Sequence, residues 1–109
     1  MATLIVDGKP TIERVKAGKI TLVRTYSAGV HFGIVKKCKG KEVTLVMARR
    51  LWSWEGACSL SQVAIDGVSL SSSKISVTVP EITLTEAIEL IAMTEKASKQ
   101  MMEAKPWKK

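Results

Sequence analysis

The sequence predicts an α+β fold built on a small, strongly bent antiparallel sheet or barrel of about five to six strands. Short stretches rich in β-branched residues follow one another between residues 20 and 51, separated by glycine-containing turns. Two later segments, after Ser59 and after Thr94, place apolar residues at helical spacing. The chain has 109 residues, 46% hydrophobic and 25% charged, which suits a single domain with one modest core.

The first half of the chain predicts a meander of three strands. Residues 1–19 are predicted to be an extension, with a short strand at residues 2–6, in front of one domain spanning residues 20–109. The strands are expected at residues 20–26, 30–38 and 42–51, with turns at 27–29 and 39–40 and a bend at Gly33. Alternation in the third strand should place Val43, Leu45 and Met47 on one face.

The second half predicts a short inserted helix, further strands and a C-terminal helix. Residues 52–56 are expected to be a loop, Ser59 to cap the inserted helix and Gly67 to follow it. Residues 75–79 alternate as a strand that should stop at Pro80. A turn at residues 83–85 and a strand up to Met93 are expected next.

The C-terminal helix is predicted from a cap and an apolar face. Thr94 precedes the segment TEKASKQMMEA, in which Ala97, Met101 and Ala104 share one side. Pro106 should end the helix, which leaves residues 107–109 as a tail.

Charge is unevenly distributed along the chain, whose net charge is +7. Residues 1–50 carry eleven basic and three acidic side chains, residues 51–94 carry one and five, and residues 95–109 carry five and two. This pattern indicates a positive face that attracts phosphates, or subunits that pair through opposite faces. The alternative to both interpretations is that the lysines are solvated and contribute to solubility alone.

Several functional classes are disfavoured by the sequence. It has no apolar run long enough for a membrane helix and no secretory signal pattern, so a cytoplasmic protein is expected. Cys38 and Cys58 are expected to be reduced thiols rather than a disulfide or zinc site. His31, Glu55 and Cys58 lack partners that would make a catalytic group, so no catalysis, cofactor or metal is predicted.

The least random stretch is ARRLWSWEGACSLSQVA, residues 48–64, in which two tryptophans follow an arginine pair. Indole rings stack on planar groups and guanidinium groups bind anions. The predicted ligand-binding residues are Arg49, Arg50, Trp52, Trp54, Tyr26, Ser27, Ser59, Ser61, Arg24 and His31. Since neighbouring strand residues point to opposite faces, only one of the two arginines is expected to face a single pocket.

Three segments resemble a family of small tailed-phage proteins that share a domain of unknown function. They are RTYSAGVHFG, the tryptophan segment, and PEITLTEAIELI, and the resemblance covers about residues 20–107. The segment from Trp52 to Gln62 is quite specific, although many relatives have Tyr in place of Ser53. The resemblance implies a phage or prophage origin and a role inside the infected bacterium, but no reaction.

Three functions from different classes are therefore open. The first is an oligomeric binding protein, without catalysis, that sequesters a cyclic-nucleotide or ADP-ribose-like immune signal of the host. The second is a protein that binds single-stranded DNA or RNA through Lys36, Lys37, Lys39 and Lys41. The third is a structural or host-protein-binding protein, in which the tryptophans are core or interface anchors and the arginines pair with acidic residues of another subunit.

Overall fold

The computed structural model describes residues 19–108, which form a six-stranded antiparallel sheet and two helices. The predicted strand at residues 2–6, almost all of the predicted extension, and Lys109 lie outside this part of the chain. The strands are β1 (Ile20–Thr25), β2 (Val30–Lys39), β3 (Glu42–Ser53), β4 (Lys74–Ile75), β5 (Val79–Leu84) and β6 (Ala87–Ala92); the helices are α1 (Leu60–Asp66) and α2 (Glu95–Met102). A 3-10 turn spans Leu70–Ser72.

The sheet is organised around β3, its longest strand. β2 pairs with one edge of β3, while β5 and then β4 pair with successive parts of the other edge. β1 lies between β2 and β6, which gives the order β4-β3-β2-β1-β6. The α+β class and the antiparallel sheet are therefore confirmed.

The sheet is strongly curved because a short connection joins its two sides. Leu84 pairs with β3 and Ala87 pairs with β1. In a flat sheet β5 and β6 would lie four strand spacings apart, about 19 Å, whereas three residues reach at most about 11 Å. No pairing joins β5 to β6 among the described strands, so the sheet is open and a closed barrel is not observed.

Apolar side chains cover both faces of the sheet. The face toward the helices packs Leu22, Phe32 and Leu51 against residues of α1 and α2 such as Val63 and Met101. The opposite, inner face of the curved sheet holds a second cluster formed by Val23, Val43, Leu45, Ala48, Leu84 and Ala87. The two clusters fix which β3 side chains point to each side.

A bulge in β3 makes the expectation for Met47 wrong. Val43 and Leu45 are buried as predicted, but Met47 is exposed and has a φ of 53°. The β2–β3 register shifts here, between the pairs Phe32–Arg49 and Ile34–Val46. Gly33 lies opposite the bulge, where a Cβ would be 3.0 Å from Ala48 Cα and from the Val46 carbonyl oxygen. The extra residue reverses which β3 side chains face the inner side of the sheet. At Gly33, where the sequence predicted a bend, the structure has a shift in the β2–β3 register.

Both helix caps are confirmed, because Ser59 Oγ accepts from Gln62 N–H and Thr94 Oγ1 accepts from Ala97 N–H.

Three predicted boundaries of strands and turns are wrong. β3 continues through Trp52 and Ser53 rather than entering a loop. Pro80 lies inside β5, an edge position where no partner needs its missing N–H, and the following turn falls at residues 85–86.

Candidate functional site

The two adjacent arginines of β3 point to opposite sides of the sheet, as strand geometry requires. Arg49 is buried on the helix side and donates from Nε to the Ser76 carbonyl at 2.9 Å. Its Nη1 donates to the carbonyls of Met101 and Met102, both at 3.0 Å. This guanidinium therefore satisfies the last carbonyls of α2 and anchors the helix to the sheet.

Arg50 lies on the other side of β3 and pairs with a tryptophan two residues later. Its guanidinium carbon is 5.1 Å from the centre of the Trp52 ring, a cation–π distance. Trp52 is 55% exposed, so much of the indole is accessible to solvent. The backbone N–H of Arg50 donates to Ser76 Oγ at 2.8 Å, which ties the strand to the segment after β4.

A second cation–indole pair lies beside the first, and the sequence did not predict it. Trp107 is 49% exposed and packs edge-to-face on Trp52, with ring centres 6.3 Å apart and an interplanar angle of 70°. Lys74 Nζ lies 5.0 Å from the centre of the Trp107 ring. Two signals could have indicated this pair: Trp107 stands among lysines, and Lys74 is the one basic residue between residues 51 and 94.

Two shallow concavities adjoin Arg50 and Trp52. One, of about 200 Å³, lies over the inner face of the sheet and is bordered by His31, Val77 and Ile82, with Arg49 also at its margin. The other, of about 460 Å³, is formed with the turn at residues 27–29 and with Val30. The Arg50–Trp52 pair thus lies between two concavities that are accessible to a ligand.

His31 is almost fully buried and supports the turn beside Trp52. It pairs with Arg50 in the β2–β3 register and is 2% exposed. Its Nε2 donates to the Ala28 carbonyl at 2.9 Å, which holds the turn beside Trp52. Burial lowers the pKa of His31 below its ordinary value of 6.5, and the positive charge of Arg50 lowers that pKa further, while the bond to Ala28 opposes the shift.

The predicted polar residues of β1 and its turn have other contacts. Ser27 Oγ donates to Glu86 Oε1 at 2.6 Å, and Arg24 Nη1 lies 3.6 Å from Glu89 Oε1. Tyr26 is 79% exposed. Of these residues, Ser27 borders a concavity next to Trp52.

Three other predicted residues lie away from the Arg50–Trp52 pair. Trp54 is half-buried and packs against the helix-side cluster. Ser59 caps α1 through its hydroxyl group, and Ser61 is exposed on that helix. The structure therefore gives the two tryptophans of the Trp-x-Trp segment different environments.

The lysines of the β2–β3 hairpin form a separate basic surface. Lys36 Nζ lies 3.0 Å from Glu81 Oε1 and forms an ion pair with it. Lys37, Lys39 and Lys41 are exposed and form no ion pair with other residues of the 19–108 region. The hairpin is at the start of β3 and Trp52 is near its end. At about 3.3 Å per residue, roughly 30 Å separates the two surfaces.

Within residues 19–108, no three His, Cys, Asp or Glu side chains are placed to hold a metal ion. Cys38 and Cys58 are free thiols, and burial raises the pKa of Cys38. None of the helices in this region is long and apolar enough to span a bilayer.

The fold and the solvent-exposed cation–indole pairs define a small α+β protein with a candidate site for planar, anionic ligands. The chain belongs to a family described as a domain of unknown function (DUF6948), whose profile matches residues 18–101. Neither the curated proteins nor the solved structures contain a significant match to it. Arg50, Trp52 and Lys74 lie within the matched segment, and Trp107 lies after it.

Proposed function

We propose that this protein binds a nucleotide-type small molecule at Arg50 and Trp52 and acts by holding it, without catalysis. The observation that carries the proposal is an exposed indole in contact with a guanidinium beside two concavities. Tryptophan is highly buried on average in folded proteins, so an indole that is 55% exposed is an uncommon surface feature. The positive charge beside the ring favours a ligand that is both flat and anionic.

When a nucleotide binds, Arg50 gives up its cation–π contact with Trp52, and the ligand gains one contact with the indole ring and one with the guanidinium. A base that stacks on Trp52 gains about 1–3 kcal/mol, while an exposed cation–π contact is worth about 0.5–1 kcal/mol. The guanidinium can leave the ring and take two phosphate oxygens through its paired N–H groups. The exchange is therefore more favourable for a nucleotide than for an uncharged ring, which gains the stacking contact but offers the guanidinium no phosphate oxygens.

A homo-oligomer is part of the proposal. Pockets for small ligands enclose about 300–1,000 Å³ and bury most of the ligand surface. The two concavities beside Trp52 hold about 200 and 460 Å³, and both are open to solvent, so neither encloses a ligand on this surface. A second subunit placed over this surface would supply the missing wall, which is why we infer an oligomer pocket.

The biological setting of the proposal comes from the resemblance to tailed-phage proteins. In that setting the protein is made in the cytoplasm of an infected bacterium and the ligand is a cyclic-nucleotide or ADP-ribose-like signal of host immunity. Sequestration needs affinity and abundance alone, so the proposal requires no catalytic group.

Calorimetric titration with cyclic nucleotides, linear nucleotides and ADP-ribose derivatives tests the proposal. We expect at least one ligand to bind the wild-type protein and to lose about tenfold or more in affinity with Trp52→Ala. Lys39→Ala is the matched control, because that lysine is exposed at the far end of β3. A folded protein that binds none of the panel would contradict the proposal.

The second candidate is binding of single-stranded nucleic acid, and the exposed hairpin lysines favour it. Lys37, Lys39 and Lys41 leave their charges available for phosphates. Affinity for single-stranded DNA that falls steeply with salt, and that falls further when these lysines are replaced, would support this function. Affinity that is indifferent to salt would exclude it.

The third candidate is a structural or host-protein-binding role, in which Trp52 and Trp107 are interface anchors. Replacing Arg50 with Glu and measuring the oligomer mass by native mass spectrometry separates a subunit contact from a ligand contact. Loss of the oligomer without a retained small molecule would favour this role.

A further inference from the structure

The exposed surface around Trp52 and Trp107 contains two cation–indole pairs, each of which is called a unit below. Arg50 lies over Trp52 at 5.1 Å, and Lys74 lies over Trp107 at 5.0 Å. The two indoles touch edge-to-face, with centres 6.3 Å apart. Each unit therefore combines one cation and one partly exposed ring, and the two units are direct neighbours.

Backbone contacts hold the second unit in place. Ile75 pairs with Leu51 and Lys74 pairs with Ser53, so β4 lies along the end of β3. The N–H of Trp107 donates to the carbonyl of Ile75 at 2.7 Å, which attaches the C-terminal tail to β4. Because the main chain positions Lys74 and Trp107, their adjacency does not depend on a flexible side-chain contact alone.

The charges of both units are available to a ligand. The ion pairs formed within residues 19–108 join Arg24 to Glu89, Lys36 to Glu81 and Lys96 to Asp66, and none includes Arg50 or Lys74. Two uncompensated cations beside two aromatic rings attract two anionic groups, each next to a planar group. A mononucleotide has a single base, so it can stack on only one of the two indoles.

We infer that the ligand is a dinucleotide, with one base and one phosphate at each unit, and that Lys74 and Trp107 determine this specificity. The inference rests on the proposed nucleotide-binding function and refines it. Trp52 and Arg50 hold the first nucleotide. Trp107 and Lys74 hold the second, so the C-terminal tail is part of the site.

Calorimetric titration with 5′-phosphorylated diadenylate, cyclic diadenylate and AMP tests the inference on the full-length protein. We expect a dinucleotide to bind at least about tenfold more tightly than AMP. This preference should fall to about twofold or less in Trp107→Ala and in Lys74→Ala. Trp107→Phe keeps an aromatic ring and should keep most of the preference. Lys96→Ala, which replaces an exposed lysine of α2, should keep all of it.

Circular dichroism establishes that each variant is folded before its affinity is compared. Equal affinity for AMP and both dinucleotides in the wild-type protein would overturn the dinucleotide assignment and leave nucleotide binding intact. A dinucleotide preference that persists in both Trp107→Ala and Lys74→Ala would overturn the role of the second unit. Binding of none of the three probes would refute the inference together with the proposed function.

Discussion

Arg49 and Arg50 are adjacent in sequence yet have opposite roles, and their replacement should separate stability from binding. Arg49→Ala leaves three backbone carbonyls without their donor, so we expect it to lower the free energy of unfolding by about 2–4 kcal/mol. Arg50→Ala removes one exposed cation–π contact and should cost less than about 1 kcal/mol. Urea unfolding of both variants measures the difference, and equal losses would contradict these assignments.

Replacing Trp52 and replacing Trp54 should likewise have different effects on stability and on binding. Trp54 packs against the helix-side cluster, so Trp54→Ala should cost about 2–4 kcal/mol by leaving a cavity. Trp52 is 55% exposed, and Trp52→Ala should lower the free energy of unfolding by less than about 1 kcal/mol while it weakens the proposed ligand binding about tenfold or more. Thermal unfolding measured with and without ligand checks both statements. A large loss of stability in Trp52→Ala would make that indole a packing residue.

His31 should make stability depend on pH in a defined direction. Its pKa is below 6.5 in the folded protein, chiefly because of burial. As pH falls below 6.5, the unfolded chain takes up the proton first, so the free energy of unfolding decreases until pH passes the lowered pKa. Urea unfolding between pH 7 and pH 5 should reveal this loss. His31→Gln, which keeps a donor for Ala28 but does not titrate, should flatten the dependence in that range.

Local signals in the sequence predicted the two helices and the turns between β1, β2 and β3, but not the positions of side chains beyond the bulge. Ser59 and Thr94 were identifiable as caps because cap chemistry depends on a few neighbouring residues. The outward turn of Met47 depends on the register between β2 and β3, which no local pattern encodes. The contact of Arg49 with α2 joins residues more than fifty positions apart, and it was out of reach for the same reason.

The bulge is an element under backbone strain, and relieving that strain should stabilise β3. Met47 has a φ of 53° and an exposed side chain, so its conformation is costly while its side chain contributes little packing. We expect Met47→Gly to raise the free energy of unfolding by about 0.5–1 kcal/mol. Met47→Ala keeps the Cβ and is the matched control, with no comparable gain expected. A loss of stability in Met47→Gly, measured by urea unfolding, would show that the side chain matters more than its backbone.

At the scale of the molecule, the length of β3 separates the hairpin lysines from the Arg50–Trp52 pair. Lys37 and Lys39 pair with Thr44 and Glu42 at the start of β3, and Trp52 lies near its end, roughly 30 Å away at about 3.3 Å per residue. The composition of the sequence indicated both surfaces. It could not join Trp107 and Lys74 to Trp52, because the return of the C-terminal tail to β4 is a contact of the whole fold.

This separation predicts that the two surfaces act independently. Replacing Lys37 and Lys39 with Ala should reduce the salt dependence of binding to single-stranded DNA, by about 0.7 in log–log slope for each lysine that contacts a phosphate. The same double variant should leave nucleotide affinity unchanged, since sites this far apart with no shared partners do not couple. Trp52→Ala should show the opposite pattern, and fluorescence anisotropy and calorimetry measure the two affinities. If the lysine variant weakened nucleotide binding as much as Trp52→Ala, the ligand would have to span the whole strand, and a polynucleotide would replace the small molecule as the natural partner.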